Sequence, residues 1–452
     1  GRYRFEKYNF STNEERLIFA DGANFASVYN GTTVMDIKGA TTISTTGSAS
    51  NSSTSLSVSS AAGIMEGMYI GGTNIGSGAK VSSISGTTVT MSVATTGTIS
   101  SGSVTFAGLG TAPSDPSMVT AFKNHMFYAG MSAEPNTIVF SAIGDENDFT
   151  PSNGAGSLNV DSTIIALKSF RGELIIFCED RIYKLAGNAL ADFAIAPISR
   201  NVGCSDAFSI QEIGGDVIFL APDGLRTIAG TARIGDVELG TVSKQIQARI
   251  SDIGFTNISS VVIRDKSQYR LFYPSGGLES AEKGIIGVLK SNPSGQIGWE
   301  YSDIRGIKPS CCDSGFISGV EKVIHGGFDG YVYLQESGNT FNGTAMKAIY
   351  RSPDLTMGDA GIRKNMQRIN VNYDPEGSVS ASLFVKYDFE DAGTPQPSAY
   401  TLSTADTAAV YDNSGTLYGS AVYDAEGMPI VRQSVEGSGF TVVIRLEDES
   451  SN

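Results

Sequence analysis

Histidine occurs twice and tryptophan once in 452 residues, beside only 4 cysteines and 14 prolines. Cys178, Cys204 and the adjacent Cys311 and Cys312 show no Cys-x-x-Cys spacing, and His125 and His325 are too few to complete a zinc set, so no metal is expected. The thiols read as those of a reducing compartment, with no disulfide framework signalled. Charged residues make up 17%, below the roughly 25% of an average soluble domain. No run of about 18 apolar residues occurs, so nothing spans a bilayer as a helix, and Gly1-Arg2-Tyr3-Arg4-Phe5 has no apolar signal-peptide core. The chain opens without an initiating Met, which leaves room for residues upstream. Positive charge is also scarce. With 32 Lys plus Arg against 47 Asp plus Glu, the net charge of −15 is a poor basis for a stable, sequence-reading grip on phosphate. An acidic wall past which a duplex slides without sticking is compatible with that balance.

Catalytic signatures are missing as well. There is no Gly-x-Ser-x-Gly elbow, Walker loop, dinucleotide fingerprint or His-Glu-x-x-His. Cys178 lies inside the apolar run Ile175-Ile176-Phe177-Cys178 and reads as a buried strand residue rather than a nucleophile. Asp145, Asp148, Asp180, Asp223 and Asp329 would be the carboxylates of a glycosidase, but all sit at turns, where Asp is favoured because its side chain bonds nearby amides. Trp299 alone is a weak platform for sugars, and Asp145-Glu146-Asn147-Asp148 lacks the grammar of a calcium loop. No cofactor is expected, and no enzyme activity.

What is plentiful is glycine, 53 residues, punctuating short runs rich in Val, Ile, Phe and Tyr that read as strands. The one helical stretch is Val242–Ile253, with Ser243 as its cap and Ile246, Ile250 and Ile253 on one face. Apolar hairpins around polar turns recur at Leu17–Tyr29, Val119–Phe140, Ile164–Leu185, Phe208–Ile228, Val261–Leu289 and Gly315–Leu334. The middle members recur at roughly 45 to 50 residues, the length of one four-stranded propeller blade. A lone four-stranded sheet cannot bury both faces, whereas radial stacking gives each face a neighbour. The expectation is an all-β chain built as a β-propeller of about six blades, in preference to a series of β-sandwiches.

Composition divides the chain further. Residues 1–40 read as the first propeller segment. Residues 41–107 carry only Glu66 and Lys80 as charges yet alternate at Leu56–Val58, Met68–Ile70, Ala79–Ile84 and Thr88–Val93, which predicts an inserted Ser/Thr/Gly-rich β-domain rather than a spacer. Residues 108–340 hold the remaining blades. Residues 341–452, with strands expected in 362–373, at Ser380–Tyr387, Ala409–Val422 and Phe440–Leu446, read as a C-terminal antiparallel β-platform domain.

The segment Phe122-Lys123-Asn124-His125-Met126-Phe127-Tyr128-Ala129, followed by Ile138-Val139-Phe140-Ser141 and by Gly144-Asp145-Glu146-Asn147-Asp148-Phe149, has a family look. So does the order Leu174-Ile175-Ile176-Phe177, Asp180-Arg181-Ile182-Tyr183-Lys184-Leu185, Gly203-Cys204-Ser205, Gly215–Leu220 and Asp223-Gly224-Leu225. Over about residues 120–235, and more loosely through Arg363-Lys364 and Val385–Asp388, the chain resembles the tail nozzle proteins of short-tailed bacteriophages. These are also called tail tubular protein B or packaged-DNA stabilisation proteins.

That resemblance implies a structural virion protein: a β-propeller subunit of a homo-oligomeric ring, a hexamer, placed below the tail adaptor. The ring forms the distal tail tube that retains and then conducts the DNA genome, with tail fibres or spikes docked at its flank. It implies double-stranded DNA passing without sequence-specific binding, assembly in the host bacterial cytoplasm, and no catalytic residue. The signature positions Phe122, Phe127, Ser141, Asp148, Phe149, Asp180, Arg181, Tyr183, Gly203, Asp223, Gly224, Arg363 and Lys364 are therefore structural in expectation. The 41–107 insertion departs from the family pattern and reads as a peripheral decoration. A receptor- or glycan-binding or depolymerising propeller at the tail tip is the alternative, and a baseplate or capsid-decorating protein is a third.

Overall fold

The computed structural model describes residues 2–10, 15–32, 34–37, 42–107, 110–228, 241–251, 253, 257–274, 281–291, 297–338, 340–372, 379–404 and 430–449. It is a β-propeller whose regular secondary structure is nearly all strand. The chain forms two compact units, one of residues 1–304 with 309–332 and the other of 305–308 with 333–452.

Outside residues 42–107, the first unit is a succession of antiparallel meanders, each strand pairing with the next in sequence within its sheet. Blade one comprises Arg4–Tyr8, Arg16–Ala20, Ser27–Tyr29 and Val34–Asp36, and blade two Met118–Phe122, His125–Ala129, Thr137–Phe140 and Gly156–Asn159. Blade three comprises Ile164–Phe170, Glu173–Cys178, Ile182–Ala186 and Ala194–Ser199, and blade four Gln211–Ile213, Asp216–Ala221 and Gly224–Thr227. Blade five comprises Ser259–Ile263, Gln268–Pro274, Ala281–Ser291 and Ile297–Arg305, and blade six opens with the hairpin Pro309–Ile317 and Val320–Gly327. First strands run side by side in blades one and two, two and three, four and five, and five and six, so they are the innermost strands.

Second strands read as continuous apolar runs because both their faces are covered. Phe127 and Tyr128, Ile176 and Phe177, and Phe219 and Leu220 are each fully buried, one residue turned to each neighbouring blade. The junctions follow from this alternation. Tyr8, Ile18, Val28, Val119, Met126 and Tyr128 fill the space between blades one and two. Phe127, Phe140, Ile164, Leu174 and Ile176 do so between two and three, Ile175, Phe177, Val217 and Phe219 between three and four, and Leu220, Leu225, Val262, Tyr269 and Leu271 between four and five. The fifth junction is more polar. Glu321 accepts from the amides of Arg264 and Asp265 at 2.9 and 3.0 Å, and Ser314 Oγ donates to the Val262 carbonyl at 2.6 Å.

The predicted helix is shorter than its apolar spacing, a 3-10 turn at Lys244–Ile246 running into one α-helical turn, Gln247–Ile250. Ile250 and Ile253 are buried and Ile246 packs against the same core. Ser243 does not cap the turn: its hydroxyl accepts from the Leu225 amide at 3.0 Å, tying the segment to blade four.

Residues 42–107 carry a six-stranded sheet of their own between blades one and two. Its longest strands, Ile43–Ala49 and Ile99–Ala107, pair antiparallel with Ile43 opposite Phe106, so the segment begins and ends side by side. Leu56, Met68, Val89, Val104 and Phe106 form its core.

The second unit holds a four-stranded sheet ordered Ala348–Arg351, Val442–Asp448, Val379–Tyr387, Tyr400–Thr404. Leu383, Val385, Tyr387, Leu402 and Val442 form its core. Two short ladders pair Lys364–Asn365 with Ser438–Gly439 and Arg368–Asn372 with Ile430–Ser434. The strand expected at Ala409–Val422 lies outside the described residues.

Candidate functional site

The signature residues of the first unit fall into separate groups along blades two to four, and Arg363 and Lys364 belong to the second unit. Phe127 stacks on Phe140 with centroids 5.2 Å apart, and Phe122 meets Phe127 edge-on at 5.8 Å, both inside the junction of blades two and three. Ser141 is fully buried; its hydroxyl accepts from the Met126 amide at 3.0 Å and donates to the Ala142 carbonyl at 3.1 Å. Asp148 accepts from the Thr150 amide at 2.8 Å and from Asn153 Nδ2 at 2.7 Å, closing the turn that delivers Phe149 against Tyr128.

On blade three, Arg181 joins Asp161 and Asp180, Tyr183 donates to Asp161, and Ser162 donates to Asp180. These bonds hold both carboxyls below the usual range, chiefly through Tyr183 at Asp161 and Ser162 at Asp180. Gly203 is required by space, since a Cβ there would lie 2.1 Å from the Glu179 carbonyl oxygen. Gly224 has φ of +140°, and a Cβ would meet Ser243 Oγ at 2.5 Å. Asp223 takes Arg226 in a fork, Nε to Oδ1 at 2.9 Å and a terminal nitrogen to Oδ2 at 2.6 Å. In the second unit Arg363 donates to Ser438 Oγ at 3.1 Å, and Lys364 donates to the Phe440 carbonyl at 3.2 Å.

Burial pushes the Cys178 thiol up to about 12, which leaves it protonated and inert at neutral pH. Trp299 stacks on Tyr301 at 6.1 Å against the junction of blades four and five, so its ring serves packing.

Two features were not legible in the sequence. The first lies where the innermost strands begin. Arg2 donates to the carbonyls of Ile258 and Ser310, at the starts of blades five and six, while its guanidinium lies 3.9 Å from the centroid of Phe208, before blade four. Arg4 lies over the same ring at 4.7 Å. Burial lowers the Arg4 guanidinium to about 10, opposed by Asp206, and burial raises the Asp206 carboxyl in turn. These side chains span the start of the propeller axis and link blade one to blades four, five and six.

The second feature is a pair of uncovered sheet faces. Phe5 pairs with Phe19, and Tyr3, Phe5 and Phe19 form a cluster with centroids 5.9 to 6.1 Å apart, Tyr3 and Phe5 being 51% and 59% exposed. On blade six Ile317 pairs with Val320, and Ile324 lies on the same face opposite Asp313; Ile317 is 65% exposed. Contiguous exposed apolar surface of this kind marks a contact face.

No family model matches the chain, and no curated protein matches it. Among solved structures it is similar to Hsv2 from Kluyveromyces lactis, at 9% identity and TM-score 0.27, covering 67% of this chain and 97% of that one. It is also similar to the BBS1N of a complex with ARL6DN, at 10% identity and TM-score 0.29, covering 75% and 94%. BamB from Moraxella catarrhalis matches at 10% identity and TM-score 0.25, covering 70% and 90%. At these scores the likenesses carry no functional weight, and the fold rests on the sheets themselves.

Proposed function

We infer that the chain is a structural subunit of the distal tail tube of a short-tailed phage, working as one wall segment of a homo-oligomeric ring. The observation that carries this reading is the pair of exposed apolar faces on the first and last blades, which suits lateral contact between copies. Arg2, Arg4 and Phe208 span the start of the propeller axis, so a channel wide enough for a duplex is formed between subunits, not through a blade ring. The net charge of −15 favours a lumen that repels phosphate and lets DNA slide. Adaptor above, fibres at the flank, and a gate that changes contacts between closed and open states complete the proposal.

The test is assembly. Sedimentation and electron microscopy of the purified chain with its tail adaptor are expected to show a closed ring, and Phe5→Arg with Ile324→Asp is expected to abolish it while leaving the circular dichroism spectrum unchanged. A chain that stays monomeric with the adaptor present removes the reading.

A further inference from the structure

In the second unit, residues 364–372 and 430–439 run antiparallel as one ribbon. It is interrupted once, between the ladder of Lys364–Asn365 with Ser438–Gly439 and that of Arg368–Asn372 with Ile430–Ser434. Alternation along the strands fixes its two faces. Ile369, Val371 and Val431, with Met366 and Val435 at the interruption, pack into the core with Leu383 and Leu402. The opposite face carries Arg368, Asn370, Asn372, Ile430, Arg432 and Ser434, every one of them exposed.

That face holds two guanidiniums and no carboxylate. The whole chain has 47 Asp plus Glu against 32 Lys plus Arg, yet the paired span of the ribbon sets Lys364, Arg368 and Arg432 against Glu436 alone, which sits at the interruption. Elsewhere arginines are matched: Arg181, Arg226, Arg249 and Arg351 each meet a carboxylate. Among the described residues, the side chains of Arg368 and Arg432 meet none and make no hydrogen bond, and the side-chain amides of Asn370 and Asn372 are equally unengaged. Arg368 stands opposite Ser434 and Arg432 opposite Asn370, so the two cations are diagonal neighbours, about 7 to 8 Å apart by strand geometry. Like charges this close weaken the ladder unless an anion lies over both. Guanidinium forks flanked by amides suit a phosphodiester backbone, and a two-stranded ribbon is narrow enough to enter a major groove.

We propose that the outer face of this ribbon is where the protein touches duplex DNA, Arg368 and Arg432 each taking a phosphate while Asn370, Asn372 and Ser434 lie over the adjoining sugars and base edges. The choice of a duplex over other polyanions rests on the tail-tube reading. Two contacts on a chain of net charge −15 make a weak, salt-sensitive hold, which guides a moving duplex without stopping it.

The test is fluorescence anisotropy of a short labelled duplex of arbitrary sequence, titrated with the full chain without adaptor at about 20 to 100 mM salt. Saturable binding is expected, with log K falling against log salt at a slope of about −1.8 for two phosphates. Arg368→Gln is expected to halve that slope. Arg368→Gln with Arg432→Gln is expected to weaken binding at least tenfold, and the corresponding double Lys variant to keep most of it, which guards against a folding defect. Arg200 and Arg305 are also exposed and without a side-chain partner among the described residues. Replacing both with Gln removes the same charge and is expected to weaken binding less than threefold, which separates contact from net charge. Poly-L-glutamate of equal charge stands in for an acidic protein partner. No saturable binding, an equal loss from the Arg200 and Arg305 pair, or poly-glutamate bound as tightly as the duplex would each overturn the proposal. DNA binding is read here without a ring, and the ribbon variants are expected to assemble with the adaptor as the parent does, so a failed contact and a failed ring are separate results.

Discussion

Asp145 shows how a turn residue acquires an energetic role that its type does not announce. The run Asp145-Glu146-Asn147-Asp148 obeys ordinary turn chemistry, with Asp145 Oδ1 accepting from the Asn147 amide at 3.0 Å. Burial of that turn raises the Asp145 carboxyl to about 6 from an ordinary 3.8. Between those values the folded chain keeps a proton that the unfolded chain has released, so stability falls as pH rises through the window and the loss is complete above about pH 6. The shift corresponds to about 3 kcal/mol. Asn keeps the amide-accepting oxygen and carries no charge, so Asp145→Asn is expected to be more stable than the parent by that amount at pH 8 and equal to it near pH 4. Urea unfolding midpoints at the two pH values measure this; a variant no more stable at pH 8 contradicts it.

Among the elements, the joint between insert and propeller turns on Arg16. Its partners lie 50 and 130 residues away in sequence, Glu66 on the insert and Glu146 on blade two. Replacing it with Gln leaves Glu146, which is buried, without a countercharge, at a cost of about 3 kcal/mol. The insert has its own core, so the damage is expected to stay local. Hydrogen exchange should show the amides of residues 144–147 losing protection while those of Leu56 and Val89 keep theirs; loss at both would mean the insert cannot hold its fold alone.

This joint also marks where sequence reading stopped. Runs such as Ile175-Ile176-Phe177 and Val217-Ile218-Phe219 announce strands because covering both faces demands continuous apolar residues, and Gly203 and Asp223-Gly224 announce turns. The chain's strand-like start is the strand Arg4–Tyr8, with Arg4 and Glu6 on its less exposed face. Ile43–Ala49 escaped because ISTTGSA has almost no apolar content and is specified by its partner strand, Ile99–Ala107. Ser243 had the residue type of a cap, but tertiary competition for its hydroxyl by the Leu225 amide decided otherwise. Pairings such as Arg16 with Glu66 and Arg2 with Ser310 depend on how distant segments meet, which no local period encodes.

At the scale of the molecule, the insert interrupts the passage from blade one to blade two without being threaded through it. Ile43 stands opposite Phe106, so the segment leaves and rejoins the propeller at neighbouring points. On the propeller side, the Ile37 amide bonds the Ala26 carbonyl at 2.8 Å, and Gly110 bridges to Phe149. Both flanks are therefore fixed to the blades independently of the insert. Replacing residues 42–107 by a short Gly/Ser linker is expected to leave the propeller folded, because the core of Ile18, Val28, Met126 and Tyr128 includes no insert residue. The Arg16–Glu146 pair remains, while Glu66 is lost. The shortened chain should keep its β-sheet spectrum and, on the proposed function, assemble with the adaptor. If it instead aggregates on expression, the insert is part of the propeller's folding unit; if it folds but fails to assemble, the insert contributes to subunit contacts and is not a peripheral decoration.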